Sequence, residues 1–343
     1  MVSNVRQAVI MVGGKGTRLY PLTDTVPKPA LPVLDKPCLK YLISSFAAAG
    51  IEQVFLACGY KADVLEKAIG DGSDMGVKIE YSVEDTPLGT GGAMKKLEDR
   101  LDDVFAAANG DTFIDMDISG EIEEHLRTDA KVTISLTHVK NPCEYGIVRI
   151  DGTGRITEFK DKPKPEEVFS DLINSGIYVV NKEVLEYVPD NEFMDFSKEL
   201  VPFIVGKGMR VQGYECRGIW KGVGRPSDLI STNLLMADRC RQKYGGERVK
   251  DSNISGPFFM GDSSNVLDSD VSSTVVLRDC TISDSTISGS LIMDGCKVDG
   301  ATIRNCILGA GCTVGNGTRL TDSVIRDGTI IGNSKIIDGR MGS

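Results

Sequence analysis

The stretch Ala8-Val9-Ile10-Met11-Val12-Gly13-Gly14-Lys15-Gly16-Thr17-Arg18-Leu19, continued by Pro21-Leu22-Thr23 and Pro27-Lys28-Pro29, decides how the chain is read. Residues 8–12 are apolar and have the length of a buried strand near the N-terminus. Gly13, Gly14 and Gly16 then allow a sharp turn and a close backbone approach, offering N–H groups to phosphate oxygens. Arg18 and Lys28 add two cations on a short tether, and the prolines flanking Lys28 predict a stiff, extended stretch there. A dinucleotide fingerprint would open straight into a helix. Prolines at 21, 27, 29, 32 and 37 predict a long irregular loop instead. No Gly-Lys-Ser/Thr closes the turn, so the phosphate-loop pattern fails as well. A strand, a glycine turn and two placed cations suit a polyphosphate.

Downstream to about residue 240, strand-like runs at 53–57, 77–82, 104–108, 131–137 and 177–180 alternate with helix-like stretches at 39–49, 62–69, 90–97 and 226–239. That alternation predicts βαβ units and an α/β fold, a Rossmann-like, mostly parallel sheet with helices on both faces. Runs 147–150 and 155–159, joined by Asp151-Gly152-Thr153-Gly154, predict an inserted hairpin. Beyond a polar hinge the composition changes. Cys280-Thr281-Ile282, Cys296-Lys297-Val298 and Cys312-Thr313-Val314 recur every 16 residues, and Thr329-Ile330-Ile331 follows one residue late. Apolar residues fall every five or six positions, with Gly, Asp, Ser, Asn and Thr between them. Three short edges separated by three corners fit this spacing; neither a helix nor a simple strand does. The expected outline is a catalytic domain at 1–240, a linker at 241–253 and a repeat domain at 254–343.

Composition narrows the function classes. At 343 residues the chain can hold two domains and a large core, with 41% hydrophobic and 26% charged residues as in globular proteins. No apolar run reaches membrane-spanning length, and Met1-Val2-Ser3-Asn4 lacks the features of a signal peptide. Nine cysteines, an odd number without metal spacing, predict reduced thiols and a cytoplasmic location. A net charge of −10 disfavours nucleic acid and anionic membrane as partners. An anionic substrate must then be caught by a local cationic cluster.

The string Gly-Gly-x-Gly-Thr-Arg-Leu-x-Pro-Leu-Thr with Pro-Lys-Pro resembles the signature of the sugar-1-phosphate nucleotidylyltransferases, the nucleotide-sugar pyrophosphorylases. The repeat region resembles the left-handed parallel β-helix of hexapeptide repeats that several of them carry, commonly for assembly. The resemblance implies a nucleoside triphosphate and a sugar-1-phosphate as substrates, Mg²⁺ as cofactor, and a homo-oligomer, with the β-helix as a plausible contact. Gly13, Gly14, Gly16 and Thr17 would bind nucleotide, and Arg18 and Lys28 would partner the triphosphate. Glu84-Asp85-Thr86-Pro87-Leu88-Gly89-Thr90-Gly91-Gly92 resembles the base-recognition loop, with Glu84, Pro87, Gly89 and Thr90 as contacts and with Gly91 and Gly92 allowing close approach of ligand. Glu84 stands where uridine and thymidine enzymes usually carry Gln. A carboxylate only accepts, which matches the two adjacent donors of guanine and resembles the GDP-mannose branch.

Asn109-Gly110-Asp111 ends a strand, where ligands meet open α/β sheets. Gly110 resembles a nucleotide contact and Asp111 the family's first magnesium ligand. Glu144-Tyr145-Gly146-Ile147 resembles the sugar-contact segment, through Gly146. In Phe159-Lys160-Asp161-Lys162-Pro163, Lys162 would grip the sugar phosphate and Asp161 replaces the usual Glu. Asn174-Ser175-Gly176-Ile177-Tyr178 resembles the sugar-hydroxyl loop, through Asn174 and Gly176. One departure stands out: in Trp220-Lys221-Gly222-Val223-Gly224-Arg225-Pro226, Gly222 occupies the place of the second metal-binding Asp. Asp228 reads as a first-turn helix acid rather than a substitute. The attacking phosphate is already an anion, so no base is needed, and His125 and His138 are expected to be structural. GTP with mannose-1-phosphate is the favoured pair. The alternatives are a glucose-1-phosphate uridylyl- or thymidylyltransferase and a catalytically silent subunit that senses nucleotide sugar. An acyltransferase is the weakest reading, because both histidines lie outside the repeat.

Overall fold

In the computed structural model, residues 5–84, 86–244 and 247–339 are described. The first four residues, Asp85 of the base loop, Gly245-Gly246 of the expected linker and the last four residues of the expected repeat domain lie outside them. The opening apolar run forms the strand Gln7–Met11. It pairs in parallel with Gln53–Cys58 on one side and Val104–Asn109 on the other, and Lys78–Val83 continues the parallel order beyond Gln53–Cys58. Antiparallel strands are added next to Val104–Asn109. Leu172–Asn181 pairs with it, followed by the hairpin Gly146–Ile150 and Ile156–Asp161. Val132–His138 also pairs antiparallel with Leu172–Asn181, and Val211–Glu215 joins it in parallel. The result is a nine-stranded mixed sheet with a parallel half built from βαβ units.

Strand alternation explains the burial. Val9, Met11, Phe55, Ala57, Phe105 and Ala107 belong to one core cluster with Met94, Leu97, Phe196 and Leu200. Their neighbours Ala8, Ile10, Val54, Leu56, Ala106 and Ala108 are buried as well. Successive side chains point to opposite faces, so both faces are covered. The strand expected at 177–180 runs from Leu172 to Asn181, with an irregularity in its pairing between Asn174 and Tyr178. The helix Ser119–Thr128 escapes the sequence reading for a physical reason. Its buried residues are Glu121, Ile122 and His125, which make a poor apolar stripe.

The proline-rich loop contains three single turns of 3₁₀ helix, Thr17–Leu19, Leu22–Asp24 and Lys28–Ala30, then the short pair Pro32–Val33 and Lys36–Pro37. Lys28 is therefore not in an extended stretch. Pro27 is extended, but Pro29 falls in the first turn of a 3₁₀ helix, where its missing N–H costs nothing.

The C-terminal region is a parallel β-helix of the left-handed hexapeptide type. Thr281 pairs with Lys297, Lys297 with Thr313 and Thr313 with Ile330, so coils repeat at 16, 16 and 17 residues. Within a coil, Ile282, Ile287 and Ile292 point into one core with Val298, Ile303 and Leu308 of the next. Each corner carries a left-handed residue: Asp284 (φ 47°), Gly289 (φ 58°) and Gly295 (φ 71°) turn one coil. Only Gly, and less readily Asn, Asp or Ser, adopts that conformation cheaply, which accounts for the composition between the apolar positions. Small side chains stack behind the corners. Ser285 accepts from Ala301 N–H and donates to Ser283 O, and Ser269 and Ser290 repeat the device. The corner trimmed to five residues in early coils regains one between Val314 and Leu320, which produces the 17-residue step.

By contacts the chain divides into two units, Met1–Gly14 with Leu39–Trp220, and Lys15–Cys38 with Lys221–Ser343. The loop bearing Arg18 and Lys28 and the helix Pro226–Cys240 thus group with the β-helix. The outline from sequence placed both in the N-terminal domain. No helix among the described residues is long and apolar enough to cross a membrane.

Candidate active site

In the first unit the expected residues gather along one edge of the sheet, at the carboxyl ends of its parallel strands. Gly13 and Gly14 follow Gln7–Met11 and are exposed. Glu84 follows Lys78–Val83 and is tied to the neighbouring strand by its N–H to Cys58 O, 2.8 Å. Asn109-Gly110-Asp111 ends Val104–Asn109. Gly110 donates to Met11 O at 2.9 Å, and a Cβ there would lie 2.4 Å from Val12 Cγ1, so no larger residue fits. The turn leaves the Asp111 carboxylate exposed at the strand end, with Thr112 Oγ1 at 3.4 Å from its Oδ1.

The loop expected to read the base is held from within. Glu84 Oε2 accepts from Leu88 N–H at 3.2 Å, closing the loop over its own carboxylate. Burial pushes the Glu84 carboxyl above its ordinary value, while the Leu88 N–H and the Lys96 ammonium pull it back. Pro87 is exposed at the loop's tip. Thr90 Oγ1 accepts from Phe196 N–H at 2.8 Å. The glycines here meet protein, not open space. A Cβ on Gly89 (φ 71°) would lie 2.5 Å from Met194 O, and one on Gly92 would lie 2.6 Å from Glu192 O. Gly91 donates to Met194 O at 2.8 Å. On the side a Cβ would occupy, Gly91 and Gly92 are approached by residues 192–194.

Among the residues expected to contact sugar, Gly146 and Asp161 face each other across the hairpin, and a Cβ on Gly146 would strike the Phe159 ring at 2.8 Å. Asn174 staples a bulge: its Oδ1 accepts from Gly176 N–H at 2.8 Å and its Nδ2 donates to Tyr178 OH at 2.9 Å. Gly176 has φ 83° and lies against the Asn109 side chain. Lys162 has φ 44° although it is not glycine, a sparsely populated conformation that tends to occur at working sites. Its N–H donates to Tyr145 O at 2.9 Å, and its side chain is exposed. Lys160 is instead paired with Glu167 at 2.8 Å.

Lys198 was not singled out from sequence, and Trp220 was quoted only as the head of the Gly222 motif. Lys198 Nζ lies 3.7 Å from Asp161, and Trp220 stacks edge-on to Tyr145 at 5.3 Å while donating to Ser175 O at 2.7 Å. The solitary Trp in the chain was the available signal. The two histidines have structural partners. His125 is buried between Thr133 and Asn181, and its pKa is lowered by that burial; His138 pairs with Asp171.

The second unit holds Gly16, Thr17, Arg18 and Lys28. Gly16 (φ 62°) turns the chain, and Thr23 Oγ1 donates to its carbonyl at 3.0 Å. Lys28 is buried, whereas Thr17 and Arg18 are exposed. The Arg18 guanidinium packs on Gly224, where a Cβ would stand 3.3 Å from Nη2. Asp228 Oδ2 accepts from Gly224 N–H at 3.0 Å and Arg225 N–H at 2.8 Å, so its carboxylate caps the helix Pro226–Cys240 as expected. Lys221, beside Gly222, is half-buried, and desolvation lowers its pKa against the pull of Asp228.

The donor set bears on the metal. Among the described residues no group of three or more His, Cys, Asp or Glu side chains could hold an ion. A cage of protein ligands is therefore not what these residues build. One exposed carboxylate, Asp111, fits a Mg²⁺ site of the kind completed by water and substrate phosphates.

Comparisons with known proteins identify the families the chain matches. Residues 7–239 match the nucleotidyl transferase family, and residues 283–339 match the GlmU-like C-terminal hexapeptide family. The mannose-1-phosphate guanylyltransferase of Mycobacterium tuberculosis is 38% identical over 67% of this chain and 64% of its own length. The UTP–glucose-1-phosphate uridylyltransferase of Synechocystis is 33% identical over 65% of this chain and 61% of its own length. The matches thus span less than two thirds of these relatives. A solved structure from Bacillus anthracis, described as a glucose-1-phosphate thymidylyltransferase in complex with sucrose, superposes with a TM-score of 0.62. It covers 70% of this chain and 98% of that one at 24% identity, a likeness of fold alone. The match over residues 7–239 makes the chain a member of the nucleotidyl transferase family.

Proposed function

We propose that the protein is a cytoplasmic sugar-1-phosphate nucleotidylyltransferase that joins a nucleoside monophosphate to a sugar-1-phosphate, with GTP and mannose-1-phosphate as the favoured pair. A phosphate oxygen of the sugar-1-phosphate attacks the α-phosphorus of the triphosphate. The bond to the β-phosphate oxygen breaks, and pyrophosphate leaves. No proton need move, so the residues act by positioning anions and neutralising charge. Lys162, fixed by its strained backbone, takes the sugar phosphate. Asn174, Gly176, Gly146 and Asp161 frame the sugar. The glycine turn, Thr17, Arg18 and Lys28 take the triphosphate, and Glu84 reads the base beside Pro87, Gly89 and Thr90. Asp111 would hold Mg²⁺, which when bound supplies positive charge on the phosphates. Functionally we divide the chain into a catalytic domain at 1–240, a linker at 241–253 and a β-helix at 254–343, with the β-helix as a surface for homo-oligomers.

The observation that carries the reading is the placement of Asp111 and strained Lys162 on the same sheet edge as Glu84. A second reading rests on Gly222. Because Asp228 is committed to capping its helix, it is not free to replace the missing acid, which favours a silent subunit that binds nucleotide sugar. Pyrophosphate release with Mg²⁺, crossing GTP, UTP, dTTP, ATP and CTP with mannose- and glucose-1-phosphate, decides between the readings when run beside Gly222→Asp. Turnover by the unaltered chain, fastest with GTP and mannose-1-phosphate, is expected. Preference for UTP or dTTP with glucose-1-phosphate would replace the substrate pair. Activity confined to Gly222→Asp would favour the silent subunit, and silence from both would end the transferase reading.

A further inference from the structure

We infer that Thr25 and Asp327 are a positioning pair, through which the β-helix sets the place of the loop carrying Arg18 and Lys28; this rests on the assignment of those cations to the triphosphate. Asp327 sits at a β-helix corner and uses both carboxylate oxygens. Oδ1 accepts from Ala310 N–H of the neighbouring coil at 2.9 Å, and Oδ2 accepts from Thr25 Oγ1 at 2.6 Å. Beside it, Arg326 Nη2 pairs with the Asp24 carboxylate. Two consecutive corner residues therefore meet two consecutive loop residues, and hydrogen bonds with an ionised partner are among the stronger ones.

Local bonds carry that placement to the cations. Thr25 caps the turn Leu22–Asp24 through its backbone N–H to Leu22 O, which leaves its hydroxyl proton for Asp327, and Thr23 in that turn holds the Gly16 carbonyl, two residues before Arg18. A Cβ on Gly16 would lie 3.2 Å from Lys28 Cβ, so the two arms of the loop meet there. A second anchor lies further along. The buried Asn233 amide accepts from Leu34 N–H at 2.8 Å and donates to Pro32 O at 3.1 Å. Between the anchors the loop is largely buried but leaves a gap against the β-helix. A cavity of about 210 Å³ opens there, lined by Leu22, Val26 and Leu31 on the loop and by Leu277, Met293 and Ala310 on the β-helix. Leu22 and Leu31 are buried beside this cavity, and the directional contacts at Asp24 and Thr25 add a fixed position that a gap in the packing does not supply.

The test uses the full chain with Thr25→Val, Asp327→Ala and the double variant. Thr25→Val keeps the shape and leaves the Asp327–Ala310 bond intact. Calorimetric titration with Mg·GTP should show roughly three- to tenfold weaker binding for Thr25→Val, with the melting temperature within about 2 °C of the unaltered chain. The double variant should bind no more weakly than Asp327→Ala, since the two residues act as one contact. In turnover, the KM for triphosphate should rise while the KM for sugar-1-phosphate stays within about twofold, because a positioning residue acts on one substrate only. Unchanged GTP affinity, strictly additive losses, or equal changes in both KM values would overturn the inference. If Asp327→Ala fails to fold, Thr25→Val decides alone. A chain that binds GTP without turnover refutes the transferase reading but leaves the affinity comparison to judge the pair. A chain that binds none of the five triphosphates ends both.

Discussion

Two turns rich in glycine, at residues 13–16 and 89–92, read alike in sequence and use glycine for opposite reasons. At Gly14 a Cβ would meet nothing within 4 Å, and at Gly13 only the Gly59 nitrogen at 3.9 Å. At Gly89 and Gly92 the space is taken by backbone from residues 192–194. At Gly13 and Gly14 the first turn leaves room that a ligand can fill, while Gly16 is already crowded by Thr23 and Lys28; the second turn is filled by the protein itself. Composition cannot separate these cases, because the deciding neighbours lie a hundred residues downstream. The difference predicts where substitution damages the fold and where it damages binding.

The largest expected effect on stability is at Gly89. Alanine there would have to hold φ 71° with its methyl 2.5 Å from Met194 O, two penalties that no flexible side chain can relieve. Gly89→Ala should lower unfolding free energy by about 2–4 kcal/mol, read as a lower denaturation midpoint at unchanged m-value. A loss below about 0.5 kcal/mol would mean that residues 192–194 yield easily, and the contrast between the turns would shrink.

Much of the sheet edge was legible beforehand, because turn chemistry is local. Gly110 and Asp111 follow a run of apolar residues, and Asp228 sits one turn into a helix. The β-helix was legible because its period repeats. What was not legible depends on tertiary neighbours. The 3₁₀ turn at Lys28 reverses the expectation from its flanking prolines. Residues 15–38 fall with the β-helix by contacts, which no local pattern announces. Glu121 shows the same limit, a carboxylate placed in the buried stripe of a helix whose sequence reads as charged.

Glu121 extends the contrast to a polar residue enclosed by packing. It is fully buried; Ser135 Oγ donates to Oε2, and Oε1 has no hydrogen-bond partner among the described residues. Burial raises its pKa from 4.5 to about 8, so the fold favours the protonated form. The stabilisation is therefore whole below pH 4.5 and drains as pH rises toward 8, at up to roughly 1.4 kcal/mol per pH unit for a single proton. Glu121→Gln, which does not titrate, should gain on the unaltered chain as pH goes from 5 to 8. Parallel melting curves for the two proteins across that range would show that Glu121 is not held protonated.

The smallest effect on stability is expected at Gly14, and there the contrast is most exposed to failure. Its φ lies outside the left-handed range and its surroundings are open, so alanine can adopt the native backbone without strain. Fewer unfolded conformations should even offset any small loss, leaving stability within about 0.5 kcal/mol. If the turn takes the triphosphate as proposed, the new methyl would stand in the open space the phosphates need, so Mg·GTP should bind roughly tenfold more weakly. Titration calorimetry and a melting curve on Gly14→Ala therefore make the case together. Intact stability with weakened binding is the signature of a glycine kept for access. Intact binding would leave residues 13–16 as an ordinary surface turn, and the triphosphate would have to be held by Arg18 and Lys28 without the backbone.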